Sequence, residues 1–262
     1  MPFPKAQRVV YERSPLDQVI CQLRFPPILR IDSTLPVEFQ DRIRGDYPNF
    51  AETTEYIPNN PFVAENIPAE IVQQVIQASG TKNYEFSSGD GSVKINLTRT
   101  FLALTTNKYE RWEKFREKIS GPFQALKEIY APAYFSRIGL RYIDSIKRST
   151  VDLGAFSWHE LLNPALLGML GSPETADSVK NIETVQEIQL AEQDGLARIR
   201  SKLVKSLDGE EVFIIDSDFF IAAKTEVDDA INKLVFFNSR STRLIRWAIK
   251  DRLHEALHPQ KI

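Results

Sequence analysis

Residues 84–106, YEFSSGDGSVKINLTRTFLALTT, decide the fold. Tyr84 and Phe86 alternate with polar residues, Gly89-Asp90-Gly91 supplies a turn, and Val93, Ile95 and Leu97 alternate again. A period of two with one apolar side is the pattern of a half-buried strand, so the stretch predicts a hairpin. A third strand is expected over 101–105, completing an antiparallel meander. Immediately downstream, Trp112, Phe115, Ile119, Phe123, Leu126 and Tyr130 recur at spacings of three and four. That is a long amphipathic helix, and Gly121-Pro122 predicts a kink or short break in it, because proline removes one internal hydrogen bond.

Upstream, LDQVICQLRFPPILRI (16–31) reads as a strand stopped by Pro26-Pro27. A helix is expected over 35–46, with Leu35, Phe39 and Ile43 on one face. Residues 47–82 carry Pro48, Pro58, Pro61 and Pro68 and read as an irregular excursion with a short helix near 69–78. Such a long loop, and Trp158 further on, read as candidate contact surface.

The second half repeats this order. YFSRIGLRYIDSI (134–146) reads as a strand, 157–170 as a helix interrupted near Pro164, and 172–184 as a polar connection. VQEIQLAE, LARIRSKLV and VFIIDSDFFIAA follow as three strands, joined at Gln193-Asp194-Gly195 and Leu207-Asp208-Gly209, before a long helix over 226–257. Leu23-Arg24-Phe25 matches Leu140-Arg141-Tyr142 at an offset of 117, and the same offset places 101–106 on 218–223. Two separated matches at one offset point to an internal duplication. The expected fold is therefore α+β: two strand-helix-three-strand-helix halves, 1–131 and 132–262, packed as one unit. They would form a curved antiparallel sheet of about eight strands with the long helices on one face. The other face would be open or covered by the excursion.

Composition narrows the function classes. With 42% hydrophobic and 26% charged residues the chain can bury a core, and a net charge of −2 gives no global attraction to nucleic acid or anionic membrane. Cys21 is the single cysteine, so there is no intramolecular disulfide and no all-thiolate zinc site. The first residues lack the apolar stretch of a secretory signal, and no apolar run is long enough to span a bilayer, so a cytoplasmic protein without a membrane partner is expected. Phosphate-loop, dinucleotide-fold, nucleophile-elbow and C-x-x-C patterns are absent. Cys21, within an apolar strand, reads as a core residue rather than a nucleophile.

PLDQVICQLRFPPIL (15–29), the run from Tyr84 through NLTRTFLALTTNKYERWEKF (96–115) and SRIGLRYIDSI (136–146) together resemble a sporadically distributed prokaryotic family of about 260 residues with no assigned function. The resemblance implies a prokaryotic cytoplasmic protein, accessory to a mobile or defence-related gene module, and it lends no catalytic residues.

Four constellations carry candidate chemistry. His254-Glu255-Ala256-Leu257-His258 fits H-E-x-x-H, which on a helix sets two imidazoles on one face for zinc with the glutamate activating water; no third ligand follows before the chain ends at Ile262. Asp216-Ser217-Asp218 puts two carboxylates on one side of a strand. Arg240, Arg243, Arg246 and Lys250 form a basic stripe on the last helix, suited to phosphates or an acidic surface. Arg24 and Arg141 occupy equivalent places in the two halves, on the sheet face away from the helices. The reading that follows is a non-catalytic binding or interaction protein without a cofactor, its partner another protein and self-association open to it. A metal-dependent hydrolase using His254, Glu255 and His258 and a nucleic-acid-binding protein using the basic stripe are the alternatives.

Overall fold

A computed structural model describes residues 2–55, 81–190 and 195–261. The expected short helix near 69–78 and most of the Gln193-Asp194-Gly195 turn lie outside the described residues. The strands are β1 (Val9–Tyr11), β2 (Leu16–Arg24), β3 (Asn49–Glu55), β4 (Thr81–Ser87), β5 (Val93–Thr98), β6 (Phe101–Thr106), β7 (Arg137–Lys147), β8 (Ile182–Gln189), β9 (Leu196–Lys205), β10 (Glu211–Ile221) and β11 (Pro259–Lys261). The helices are α1 (Leu29–Ser33), α2 (Val37–Ile43), α3 (Trp112–Tyr130), α4 (Trp158–Leu161), α5 (Ala230–Ala248) and α6 (Asp251–Ala256). Among the described residues no helix is long and apolar enough to cross a membrane.

The fold is α+β. Among the described residues nine strands form one antiparallel sheet in the order β3-β4-β5-β6-β2-β7-β10-β9-β8. Outward from the central β2–β7 pair, each side runs through the last, middle and first strand of its meander. Cys21 of β2 faces Leu104 of β6, and 117 residues later Ile138 of β7 faces Ile221 of β10. Between the two central strands Gln22 faces Gly139, also 117 apart.

Each strand buries alternate residues, as the period of two requires. Val19, Cys21 and Leu23 of β2 and Ile138, Leu140 and Tyr142 of β7 face the core, where α5 packs on β7 and β10 and α3 packs on β6 and α2. Burial pushes the Cys21 thiol up to about 12, so it remains a protonated core side chain. The opposite face carries Gln22, Arg137, Arg141, Asp216 and Asp218.

Several elements differ from the sequence expectation. The region read as irregular contains β3, which adds a ninth strand; Phe50 stacks at 6.3 Å from Tyr84 and 5.3 Å from Phe86. β2 ends at Arg24 and the first helix of the half starts at Leu29, so Leu35 lies outside both short helices and is exposed. Of the helix expected over 157–170, only α4 is α-helical, followed by two 3₁₀ turns, Pro164–Leu166 and Gly168–Gly171. Trp158, expected on the surface, is buried against Phe213, and its indole donates to Glu211 at 3.1 Å.

The helix α3 continues through Pro122. Proline cannot donate to the carbonyl of Lys118 four residues earlier, but the Tyr47 hydroxyl donates to that oxygen at 2.7 Å. The final helix is the reverse case. It breaks at Ile249, which is extended (φ −102, ψ 140) and bridges Leu162; the Lys250 amide donates to Leu161 and the Asn163 amide to Ala248. Pairing with a distant segment there replaces the helical hydrogen bonds.

Candidate functional site

Small residues meet where large ones would close the core. On β10, Ser217 stands between Ile215 and Phe219 on the buried face. On α5 the residues above it are Asn238, Ser241 and Thr242. The missing volume opens a cavity of about 720 Å³. Its floor is Tyr142, Asp144, Ile215 and Ser217 of β7 and β10. The segment leading into α3, from Tyr109 to Trp112, forms one wall, and residues 7–12 with Ser14 to Leu16 close the front.

Asp144 is the outstanding group in this cavity. Alternation along β7 places it on the core side with Tyr142 and Ile146, and it is 7% exposed. Among the described residues its carboxyl makes no hydrogen bond or ion pair with another side chain. Burial, and after it the negative charge of Asp17, lift it to about 7. Asp17 is the extra residue of a β-bulge: Leu16 and Gln18 of β2 face the successive residues Asp144 and Ile143. Bulges of this kind re-aim side chains beside sites.

The hydroxyls around Asp144 are held in place. Tyr142 and Tyr109 both donate to Asn238 Oδ1, at 3.1 and 3.5 Å. Ser241 and Thr242 donate to the Asn238 carbonyl at 2.9 and 3.1 Å, and Ser217 to the Tyr142 carbonyl at 3.5 Å. Burial raises the phenol of Tyr109 to about 12, so it stays protonated.

Strand β1 pairs with β11 alone, as a two-stranded ribbon apart from the main sheet. Arg8 grips Glu113 with two hydrogen bonds of 2.8 and 2.9 Å, and the Tyr11 hydroxyl lies 2.8 Å from His254 Nδ1. Burial keeps His254 below the usual imidazole range.

The H-E-x-x-H geometry is corrected by this arrangement. His254 lies on α6, but the helix ends at Ala256 and His258 has a left-handed backbone (φ 54). The two imidazoles therefore do not share a helix face. They lie against neighbouring residues of the front segment, His254 at Tyr11 and His258 at 3.6 Å from Glu12. No group of three His, Cys, Asp or Glu side chains suited to a metal occurs among the described residues.

The expected basic stripe is not one helix face either. Arg240 is buried over the Phe236 ring, Arg246 binds Asp251 and the Ile249 carbonyl, and Lys250, beyond the end of α5, donates to the His159 carbonyl. Arg243 also has an interaction partner. On the sheet face away from the helices Arg141 forms a bidentate pair with Asp216, 2.6 Å for both bonds, and Arg137 Nη2 donates to both oxygens of Asp218 at 2.7 and 3.0 Å. The two carboxylates thus hold arginines. Arg24 is exposed, and among the described residues its side chain bonds to Gln22 at 3.0 Å, so its environment differs from that of Arg141.

The cavity residues were not singled out from sequence. One signal was present: Asp144 shares the parity of Leu140 and Tyr142, which sets a carboxylate on the buried side of a central strand. No protein-family model matches this chain, and no curated protein matches it significantly.

Proposed function

We propose that this protein binds a small polar molecule in the cavity between β7, β10 and α5. The observation that carries the reading is Asp144, a buried carboxyl that has no side-chain partner among the described residues and lines a cavity of about 720 Å³. Cavities of roughly 300–1,000 Å³ with a few convergent polar groups are the usual form of ligand sites, and strongly perturbed carboxyls concentrate in them. A thermal-shift panel of small polar metabolites on wild type and Ser241→Trp tests it. The expected result is a compound that raises the wild-type melting temperature but not that of the filled variant. Equal responses of the two proteins to every active compound would remove the cavity as the binding site.

We also infer that the two halves arose by duplication, supported by the common shift of 117 in the β2–β6 and β7–β10 registers. The same shift carries Asp144 back to Pro27 and Asn238 back to Gly121. On this reading the carboxyl of Asp144 and the amide of Asn238 were acquired by the second copy, whose counterparts in the first are a proline and a glycine.

A further inference from the structure

We propose that the ligand of this cavity is an organic cation, an amine or amidinium whose N–H group meets Asp144 while its body lies against Tyr109, Trp112 and Tyr142. This rests on the cavity reading above and names the ligand class. Three observations support it.

The first is Asp144, which lines the cavity and has no cation paired with it among the described residues. A buried carboxylate is strongly disfavoured unless it is paired, and here the nearest acting charge is a second carboxylate, Asp17. The second is the direction of the hydroxyls. Tyr109, Tyr142, Ser217, Ser241 and Thr242 all donate to oxygens of the protein itself. With internal acceptors within reach of these protons, the hydroxyls can turn lone pairs toward a guest. A guest rich in donors fits such a lining, and an anion does not. The third is the aromatic wall, since ring faces attract cations.

The remaining charges near the cavity do not reverse this. Arg8 is held by Glu113, and Arg246 by Asp251 and a carbonyl. Arg111 and Glu110 are adjacent, opposite and exposed, and Glu12 lies near His258. Among the charged residues that line the cavity, Asp144 is the buried one.

Benzamidine, benzamide and benzoate are a cation, a neutral molecule and an anion of nearly one shape. Isothermal titration at pH 7.5 of each into wild type, Asp144→Asn and Ser241→Trp tests the assignment. Benzamidine should bind wild type at least tenfold more tightly than benzoate, and Asp144→Asn should weaken it tenfold or more. Wild type alone supplies a second reading that needs no variant to fold. Benzamidine affinity should rise between pH 6 and 8 as Asp144 ionises, with proton release on binding below pH 7. Failure of benzamidine to bind, benzoate or benzamide binding as tightly, or a flat pH profile would overturn the cation assignment. If benzamide or benzoate binds and Ser241→Trp abolishes it, the cavity reading survives that loss. If Ser241→Trp changes none of the binding seen, the cavity reading falls as well.

Discussion

Asp144 has as its electrostatic neighbour a second carboxylate, Asp17, the extra residue of the bulge in β2. Burial first and this like charge second raise the Asp144 carboxyl from 3.8 to about 7. The folded protein therefore binds more protons than the unfolded chain between those values, and its stability falls as pH rises from about 4 through 7. Asp144→Asn removes the penalty. At pH 8 the variant should be more stable than wild type by up to about 4 kcal/mol, the equivalent of a three-unit shift, with little difference near pH 4. Urea denaturation at the two pH values measures this, and a variant equally displaced at both would contradict it.

The Tyr47 hydroxyl replaces the amide that Pro122 lacks at the Lys118 carbonyl. Tyr47→Phe leaves that carbonyl without its partner and should destabilise the protein by about 1–2 kcal/mol. Pro122→Ala restores an amide donor, so the same Tyr47→Phe change should cost less in that background. A four-protein denaturation cycle reads the coupling, and strict additivity would mean that the two groups act independently.

Arg141 and Arg24 should behave differently on truncation. Arg141→Ala strands Asp216, whose side chain is 13% exposed, and should cost about 2 kcal/mol. Arg24→Ala removes one exposed contact and should stay within about 0.5 kcal/mol of wild type. Equal losses, measured by thermal or chemical denaturation, would show that the pairing with Asp216 is not what distinguishes them.

The front of the cavity depends on β1, which is held by a three-residue ladder to β11, by the Glu12 and Arg13 amides donating to the His258 and Leu257 carbonyls, and by side-chain ties. Tyr11→Phe removes the hydrogen bond to His254, worth about 1 kcal/mol, and should speed amide exchange in β1 about fivefold. Unchanged exchange would place the anchor elsewhere, in the Arg8–Glu113 pair or the backbone bonds of Glu12 and Arg13.

The meanders, the two long helices and the core-facing residues of β2, β5 and β7 were legible because they are local periodic patterns. A strand or helix repeats its burial every two or 3.6 residues, whatever lies across from it. β3 escaped notice because its alternation is weak and its stacking partners, Tyr84 and Phe86, lie beyond a long intervening stretch. The break at Ile249 likewise depends on Leu161 to Asn163, far away in the chain.

The sequence by itself therefore determined the α+β class, the order of the elements and the face on which Asp144 would lie. Only the tertiary structure decided that Asp144 would meet a void and no cation, while Arg137 and Arg141 would find Asp218 and Asp216. Ser217 and Ser241, each ordinary on its own element, come to line one void when α5 packs on β7 and β10. Pair interactions and missing volume are properties of distances between remote residues, and neither repeats along the chain in a way that a sequence period records.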